Sequence, residues 1–263
     1  MTGLVQGKRG LIMGVANDKS IAWGCARVLA AQGAELAFTY QGEQFGKRVA
    51  PLAESVGAGD MLIPADVQDD ASLDAVFARI EEKWGKLDFL VHAIAYSDKS
   101  ELTGRFTNTS RANFLKSLDI SCYSFIDLAR RAAPLMTDGG SILTMTYLGA
   151  QKVTPNYNVM GVAKAALEAS VRYLANDLGP DGIRVNAVSP GPMRTLAGSA
   201  IGGARKVYKE TEQNAPMQKN ADLDHVGGTA AWLCSDYGAS TTGEVIFVDG
   251  GYHALGMRRP ENL

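Results

Sequence analysis

The sequence lacks long apolar runs and a strong net charge, and each absence excludes a class of function. No apolar stretch approaches the length of a membrane span, and the chain is short and polar before Leu11, without a signal peptide. Its 26 basic and 28 acidic residues leave a net charge of -2, which attracts neither nucleic acid nor an anionic membrane. We therefore expect a cytoplasmic protein without a nucleic-acid or membrane partner.

Cysteine is also scarce. The three cysteines, Cys25, Cys122 and Cys234, are odd in number, far apart and embedded in apolar helical patterns. Their spacing matches neither a disulfide framework nor a metal site. We expect free thiols in a reducing compartment and no bound metal.

What the chain does contain is a regular alternation of apolar runs and helical patterns. The runs cover residues 8–15, 34–40, 61–64, 87–92, 141–146, 183–188 and 244–248. The helical patterns cover residues 21–32, 44–56, 71–84, 110–136, 155–178 and 223–235. Strands this continuous in apolar residues are buried on both faces, which predicts a parallel sheet covered by helices. With right-handed crossovers, the prediction is an α/β fold: a single-domain, Rossmann-type, doubly wound sheet of about seven strands over residues 1–263, with helices on both faces.

Two connections, residues 95–109 and 189–220, show no clear pattern. Connections of this length in a compact domain are typically functional.

The turn after the first strand is a candidate phosphate-binding turn. Gly14 would allow a tight turn, Ser20 could donate its hydroxyl and N–H to a pyrophosphate, and Gly24 would let helix and strand pack closely. The pattern is not G-x-G-x-x-G, because Ala16 stands where the second glycine would be. An ordinary strand-to-helix turn therefore stays open as an alternative.

The ends of the second and third strands bear on the choice of dinucleotide. Gln41 occupies the position where an acidic residue would bind ribose hydroxyls, and an amide neither repels nor strongly pairs a phosphate. We therefore favour NADH, with NADPH less suited, although Lys47 and Arg48 follow a turn later. Asp66 could accept from the adenine amine beside Val67, and it is equally suited to cap the helix that begins near residue 69.

Two tyrosines and a lysine stand around the start of the helix at residues 155–178. Thr154 can cap that helix and Pro155 can occupy its first turn, which predicts helix from residue 156 onward. Tyr157 and Lys164 are seven residues apart, so both project from one helix face, about 10 Å apart along the axis. Tyr147, at the end of the preceding strand, can lean over that face. Taken singly, either tyrosine could be an amphipathic filler and the lysine a solvated charge.

The motifs follow one another in a recognisable order: Gly14-x5-Ser20-Ile21-Ala22, Gln41, Asp66-Val67, His92-Ala93-Ile94-Ala95, Asp119-Ile120-Ser121, Tyr147-x9-Tyr157-x6-Lys164 and residues 184–192 (RVNAVSPGP). From about residue 4 to residue 256 the chain resembles the short-chain dehydrogenase/reductase superfamily. Within it, the chain is similar to the divergent branch of enoyl-acyl-carrier-protein reductases of type II fatty acid synthesis.

The most specific part of this resemblance is the spacing Tyr157-x6-Lys164. Carbonyl reductases of the superfamily have Tyr-x3-Lys, whereas position 161 here is glycine, and Asp119 stands near the place of their helix asparagine. Moving the tyrosine three residues away from the lysine shifts it about 4.5 Å along the helix. That direction suits an enoyl thioester, whose oxygen lies two carbons beyond the carbon that accepts hydride.

The resemblance implies roles for individual residues. Tyr157 would stabilise an enolate, Lys164 would bond the nicotinamide ribose, and Tyr147 would flank the acyl group, which makes these three the catalytic candidates. The implied cofactor contacts are Gly14, Ser20, Ile21, Gln41, Asp66, Val67, Ile94, Lys164, Met193, Arg194, Thr195, Leu196 and Ala197. The implied substrate contacts are Ser97, Tyr147, Tyr157, Met160 and Ile201, under a lid at about residues 193–210. His92, which has no carboxylate beside it in the sequence, is expected to be structural.

The resemblance also implies partners: an acyl carrier protein that bears the enoyl thioester, and a homotetramer built on the long helices and the C-terminal strand. Arg194, Arg205, Lys206 and Lys209 would suit an acidic carrier protein, although such a run is equally typical of a solvated helix face. Two other functions remain open, a ketoacyl or carbonyl reductase on the same fold and a non-catalytic dinucleotide sensor.

Overall fold

In the computed structural model, residues 3–199 and 202–262 are described. They form one parallel sheet with the strands β1 (Arg9–Met13), β2 (Glu35–Tyr40), β3 (Leu62–Pro64), β4 (Phe89–His92), β5 (Gly140–Met145), β6 (Ile183–Pro190) and β7 (Val245–Val248). The strand order is β3-β2-β1-β4-β5-β6-β7, and all neighbours are parallel. The order reverses between β1 and β4, which confirms the predicted Rossmann-type, doubly wound sheet of seven strands.

The helices of the described residues are α1 (Ile21–Ala31), α2 (Gly42–Ser55), α3 (Asp70–Trp84), α4 (Arg111–Leu118), α5 (Ser124–Ala132), α6 (Asn158–Leu178), α7 (Leu196–Ser199), α8 (Ala204–Asn214) and α9 (Leu223–Cys234). They cover both faces of the sheet. Successive strand side chains point to opposite faces, so Leu11 packs in a core with α3, α5 and α6, and Ile12 packs in a core with α1, α2 and α9. The sheet is therefore buried on both faces, as its apolar strands predicted.

Glycines allow α1 and α9 to pack unusually close. A Cβ at Gly24 would lie 2.7 Å from Cβ of Leu223, and a Cβ at Gly227 would lie 2.6 Å from the carbonyl oxygen of Gly24. The prediction that Gly24 brings its helix close to a strand is therefore wrong, because the close contact is between two helices.

The helix predicted at residues 110–136 is interrupted. A π-helical turn, Asp119–Tyr123, separates α4 from α5. The hydroxyl of Ser124 donates to the carbonyl oxygen of Ile120 at 2.7 Å, which satisfies a carbonyl group inside the widened turn. A π turn adds one residue without ending the apolar stripe, so the helical period alone did not reveal it.

The connection at residues 189–220 contains α7 and α8, which were not predicted. Helix α8 reads ARKVYKETEQN, and only Thr211 and Asn214 are buried in it. Because most of its residues are charged or polar, this segment did not stand out in a search for apolar helical patterns.

All three cysteines are buried free thiols, as predicted. None of the helices formed by residues 3–199 and 202–262 is long and apolar enough to cross a membrane.

Candidate active site

The candidate site lies at the carboxyl ends of the strands, where the strand order reverses between β1 and β4. In this position β1 leads into the turn before α1, and β5 leads into the loop that carries Tyr147. Open α/β sheets bind their ligands at such a switch point.

The turn after β1 requires glycine at its first position. Gly14 has a φ of 102°, and a Cβ there would lie 2.2 Å from the carbonyl oxygen of Ala93. The hydroxyl oxygen of Ser20 accepts from the N–H groups of Ala16 and Asn17 at 2.9 and 3.1 Å, while the Ser20 N–H donates to the carbonyl of Asn17. In this structure the turn itself uses the Ser20 N–H, and the contact of Ser20 with a pyrophosphate stays a prediction.

The beginning of α1 nevertheless suits an anion. Ser20 makes no side-chain cap to the helix, and the first turn carries no acidic residue. Within the described part of the chain, the N–H groups of Ile21 and Ala22 have no hydrogen-bond acceptor. Uncapped N–H groups and the helix dipole favour a phosphate at this end of α1.

The ends of β2 and β3 bring Gln41 and Asp66 together. The side-chain amide of Gln41 donates to a carboxylate oxygen of Asp66 at 2.9 Å, and the other oxygen accepts from the Gln68 N–H. Helix α3 is capped by Asp69, which accepts from the Ala71 N–H. The alternative in which Asp66 caps α3 is therefore wrong. Val67, beside Asp66, is half-buried against the core.

Lys164 is buried on α6, with 6% of its surface exposed. Its Nζ donates to the carbonyl oxygen of Met145 at 2.7 Å. Burial lowers the pKa of Lys164 from 10.5 to about 8, and the nearby Cys122 and Glu168 partly oppose that shift. An ammonium has three donors, and the described residues take one of them, so two remain for a ligand.

Tyr157 and Tyr147 meet beside this lysine. Their rings pack edge to face with centroids 5.1 Å apart. Burial raises the pKa of Tyr157 well above its ordinary value, and the nearby Tyr147 and Glu168 raise it further. The pKa of Tyr147 is raised to about 12, mainly by burial and to a smaller extent by the nearby Tyr252 and Asp249. Both phenols therefore stay protonated at neutral pH and act as hydrogen-bond donors.

The backbone around Tyr157 differs from the predicted helix start. Helix α6 begins at Asn158, and Tyr157 is the residue immediately before it, so the prediction of a Thr154 cap with Pro155 in the first turn is wrong. The two flanking residues, Asn156 and Asn158, have positive φ values of 59° and 35°. Non-glycine residues rarely adopt this region, and such strain clusters at functional sites.

Side-chain amides hold this strained segment in place. Asn156 donates to the carbonyl oxygen of Gly202 at 2.7 Å, and Asn158 donates to the carbonyl oxygens of Glu101 and Gly104 at 3.3 Å. Tyr157 therefore lies between two residues that contact the two long connections. Neither asparagine was predicted as a site residue. The sequence did contain a signal for this strained segment, because asparagine tolerates positive φ and stands on both sides of Tyr157.

Several predicted substrate contacts lie together. Tyr157 and Met160 form an apolar cluster with Leu102 and Val159, and Tyr147 packs against it. Ser97 is outside this cluster, and its hydroxyl contacts Oδ1 of Asn113 at 3.3 Å. Ile201 lies outside the described residues.

The predicted cofactor contacts after β6 lie in the segment that leads into α7. Met193 is half-buried against the core, the Arg194 guanidinium stacks on the Tyr208 ring at 4.5 Å, and the Thr195 hydroxyl oxygen accepts from the Gly198 N–H. Leu196 is exposed, and the side chain of Ala197 is not described. Ile94, after β4, is half-buried against the core.

Ser189, near the end of β6, is buried, and its hydroxyl oxygen has no hydrogen-bond partner among the described residues. An unpaired buried hydroxyl near the switch point, the spare donors of Lys164 and the free N–H groups of α1 together fit a polar, anionic dinucleotide.

His92 has the structural role expected of it. Its ring is fully buried, with Nδ1 2.8 Å from the Thr144 hydroxyl and Nε2 2.9 Å from the Ser124 hydroxyl. Because the Ser124 hydroxyl donates to Ile120, its oxygen accepts from Nε2, and Nδ1 accepts from Thr144. Burial, followed by the charge of Lys164, lowers the pKa of His92 to about 3, so the ring is neutral.

Comparison with known proteins identifies the family. The family model described as enoyl-(acyl carrier protein) reductase matches residues 14–253. The chain belongs to this family. Membership confirms the resemblance that the motifs indicated.

Members of the reductase family match the chain over nearly its whole length. Enoyl-(acyl-carrier-protein) reductase (NADH) 1 of Rhizobium meliloti is 60% identical over 257 residues, which is 98% of this chain and 94% of that protein. The solved enoyl-(acyl-carrier-protein) reductase of Anaplasma phagocytophilum, in complex with NAD, is 57% identical with a TM-score of 0.95, and the match covers 98% of both chains. The Bacillus cereus reductase, solved with NADP+ and indole naphthyridinone, is 48% identical with a TM-score of 0.95, and the match covers 97% of this chain and 100% of that one.

Sequence reasoning missed one buried acidic residue of the reductase site. Glu168 lies one helical turn after Lys164, is 5% exposed and accepts from the Thr146 hydroxyl and the Gln151 amide. The signal was available, since an acidic residue four positions after the lysine falls on the same helix face, beside the buried Leu167.

Proposed function

We propose that this chain is an NADH-dependent enoyl-acyl-carrier-protein reductase, an oxidoreductase that reduces the trans-2 double bond of enoyl thioesters in type II fatty acid biosynthesis. The observation that carries the proposal is the group formed by the buried Tyr157 and Lys164 and the half-buried Tyr147 at the carboxyl ends of the strands. Full-length relatives named as NADH-dependent reductases support it.

The residues around the switch point fit the cofactor. The N–H groups at the start of α1 suit its pyrophosphate, and the spare donors of Lys164 suit the hydroxyls of its nicotinamide ribose. When bound, NADH supplies a hydride to C3 of the enoyl thioester. The protein then has to stabilise the negative charge that develops on the thioester oxygen.

Tyr157 supplies that stabilisation. Its hydroxyl stays protonated because its pKa is raised, and it makes no hydrogen bond within the described part of the chain. A preorganised donor in a buried site stabilises a developing enolate strongly. The ammonium of Lys164 adds positive charge, and Tyr147 packs against the tyrosine and flanks the acyl group.

Gly161 explains why the carbonyl-reductase spacing is absent here. A lysine at position 161 would complete Tyr157-x3-Lys. However, a Cβ at Gly161 would lie 2.8 Å from the carbonyl oxygen of Gly149, in the turn that follows Tyr147. Side chains larger than hydrogen therefore do not fit while this turn rests on α6.

The preference for NADH follows from the Gln41 and Asp66 pair. The Asp66 carboxylate accepts from the Gln41 amide, which would face the adenosine ribose of a bound cofactor, and its negative charge would repel a 2′-phosphate. Arg48, the nearest arginine in the sequence, contacts the Phe45 ring, with its guanidinium carbon 5.9 Å from the ring centre. The NADP+ bound to the Bacillus cereus relative makes this preference worth measuring directly.

We assign residues 193–210 as the substrate lid. The side-chain amide of Asn156, the residue before Tyr157, donates to the carbonyl oxygen of Gly202 within this segment. On or beside the lid, Arg194, Arg205, Lys206 and Lys209 are exposed, and none forms an ion pair with a described residue. This basic rim would dock an acidic acyl carrier protein. Reversing the charges of Arg205 and Lys206 should raise KM for a carrier-bound enoyl substrate while leaving KM for a coenzyme A thioester unchanged.

We also propose that the protein forms a homotetramer and is located in the cytoplasm. Large apolar side chains are exposed on α4, on the π turn and on α6, namely Phe114, Leu115, Tyr123, Val162 and Tyr173. Exposed apolar side chains on neighbouring helices suit a subunit interface. The free buried thiols suit a reducing compartment.

Steady-state oxidation of NADH tests the proposed activity. We expect turnover with crotonyl and longer trans-2-enoyl thioesters, little turnover with a ketoacyl thioester, and slower turnover with NADPH. Turnover with the ketoacyl substrate alone would assign the chain as a ketoacyl reductase. Binding of NADH without turnover of either substrate would assign it as a dinucleotide sensor.

A further inference from the structure

Glu168 is a buried carboxylate that the proposed reaction does not use. It lies on α6 with 5% of its surface exposed, and it forms no ion pair with any residue that the structure describes. A buried, unpaired carboxylate is unfavourable unless hydrogen bonds satisfy it. Its two oxygens are satisfied separately, Oε1 by the Thr146 hydroxyl at 2.8 Å and Oε2 by the Gln151 side-chain amide at 2.9 Å.

These two donors lie on either side of Tyr147. Thr146 directly precedes the tyrosine, and Gln151 follows the short helical turn Leu148–Ala150. One carboxylate on α6 therefore holds both ends of the segment that carries Tyr147. Lys164, one turn earlier on the same helix, holds the carbonyl oxygen of Met145 at 2.7 Å.

The segment rests directly on α6 between these bonds. The backbone of Gly149 approaches Gly161 so closely that a Cβ at Gly161 would lie 2.8 Å from the Gly149 oxygen. A Cβ at Gly149 would lie 2.4 Å from Cδ1 of Tyr157. The separation of the two tyrosine rings is thus set by how firmly the segment is held to the helix.

We propose that Glu168 is a positioning residue, which clamps residues 146–151 to α6 and so holds Tyr147 against Tyr157 in the geometry that reduction needs. The inference rests on the proposed roles of the two tyrosines.

Two substitutions separate the clamp from the charge of the carboxylate. Glu168→Gln keeps an oxygen that accepts from Thr146, and its new amide can donate to Gln151 once that side chain turns its own oxygen inward. Glu168→Ala removes both bonds. The carboxylate also lies close enough to Lys164 and Tyr157 to raise the pKa of each, an influence that both substitutions remove. A difference between the two variants therefore reports the clamp.

The experiment measures kcat and KM for a trans-2-enoyl thioester and Kd for NADH, on full-length variants checked by thermal unfolding. We expect Glu168→Ala to lower kcat about 10- to 100-fold with a smaller change in Kd, because small displacements of positioned groups have effects of this size. Glu168→Gln should stay within about threefold of wild type. Asp177→Ala, an acidic residue on the exposed face of α6, is the matched control and should leave kcat unchanged.

The partners of the carboxylate provide a second route. Gln151→Leu should lower kcat by itself, and adding it to Glu168→Ala should lower kcat no further, because both changes remove the same bond. If Glu168→Ala does not fold, Gln151→Leu and Thr146→Val test the clamp instead. Wild-type kcat in all the foldable clamp variants overturns the inference. Equal losses in Glu168→Gln and Glu168→Ala also overturn it, since they would assign the effect to charge.

Failure of the proposed tyrosine roles is distinguishable from failure of the clamp. Tyr147→Phe and Tyr157→Phe are measured in the same series. If both retain full activity, the proposed roles are wrong and the inference is wrong with them. If both lose activity while Glu168→Ala retains it, the roles stand and the clamp alone is refuted.

Discussion

Replacing Lys164 with methionine should change both the stability and the cofactor affinity of the enzyme. Burial lowers the pKa of Lys164 from 10.5 to about 8, a change that corresponds to about 3 kcal/mol. Below pH 8 the folded protein holds a buried ammonium that the unfolded chain would hydrate fully, so this free energy is a penalty. Methionine has a similar shape and carries no charge, so the variant avoids the penalty.

The pH dependence isolates this effect. Between about pH 8 and pH 10.5 the unfolded chain keeps the lysine proton while the folded protein has lost it. Wild-type stability therefore rises with pH across this window, relative to the variant, by about 3 kcal/mol in total. The variant also lacks the bond to the Met145 carbonyl oxygen, but a neutral amine still donates it, so that loss is nearly independent of pH.

The assay is urea unfolding of wild type and Lys164→Met at pH 7, 8, 9 and 10, at one protein concentration, together with Kd for NADH at pH 7. We expect the stability difference to change steadily in favour of wild type above pH 8, and Kd to rise at least tenfold in the variant. A stability difference that stays constant from pH 7 to pH 10 would refute the buried-charge reasoning. An unchanged Kd would refute the proposed contact with the ribose.

Three further predictions concern the neighbours of this lysine. Tyr157→Phe should lower kcat about 100-fold in steady-state NADH oxidation with little change in Kd for NADH, because the hydroxyl acts on the enolate and not on the bound cofactor. Full activity of this variant would exclude the Tyr157 hydroxyl as the main donor to the enolate. Gly161→Ala should destabilise the protein by about 1–2 kcal/mol in urea unfolding, because its Cβ would lie 2.8 Å from the Gly149 oxygen. This loss should exceed the gain from the better helix propensity of alanine. A stabilised variant would contradict the close contact. Asn156→Asp should speed hydrogen exchange in α8, because aspartate has the same size and tolerance of positive φ but cannot donate a hydrogen bond to Gly202. Unchanged exchange would show that this bond does not hold the lid.

The apolar pattern was sufficient for the sheet and most of the helices. A strand such as β4, which reads FLVH and is buried throughout, has few alternatives to a central parallel position. The same reasoning failed for α8, whose polar sequence packs only two residues, and for the π turn, which leaves the periodicity almost intact.

For the site, the residue types and their spacing singled out Tyr157 and Lys164 as candidates, but they did not predict the backbone that presents them. Thr154 and Pro155 form a locally plausible helix start, yet the helix begins at Asn158. Its true start depends on bonds from Asn156 and Asn158 to residues more than 40 positions away. Local capping rules contain no information about such contacts.

By itself, the sequence determined the parallel α/β sheet, and its motifs singled out Tyr157 and Lys164 through their resemblance to a reductase family. The sheet follows from hydrophobic periodicity, and the resemblance rests on residue types at short spacing; both are local properties of the chain. Only the tertiary structure decided that Glu168 holds the segment around Tyr147 and that Gln41 pairs with Asp66. Both depend on directed hydrogen bonds between segments that meet only after the chain has folded, and a bond of that kind leaves no period in the sequence.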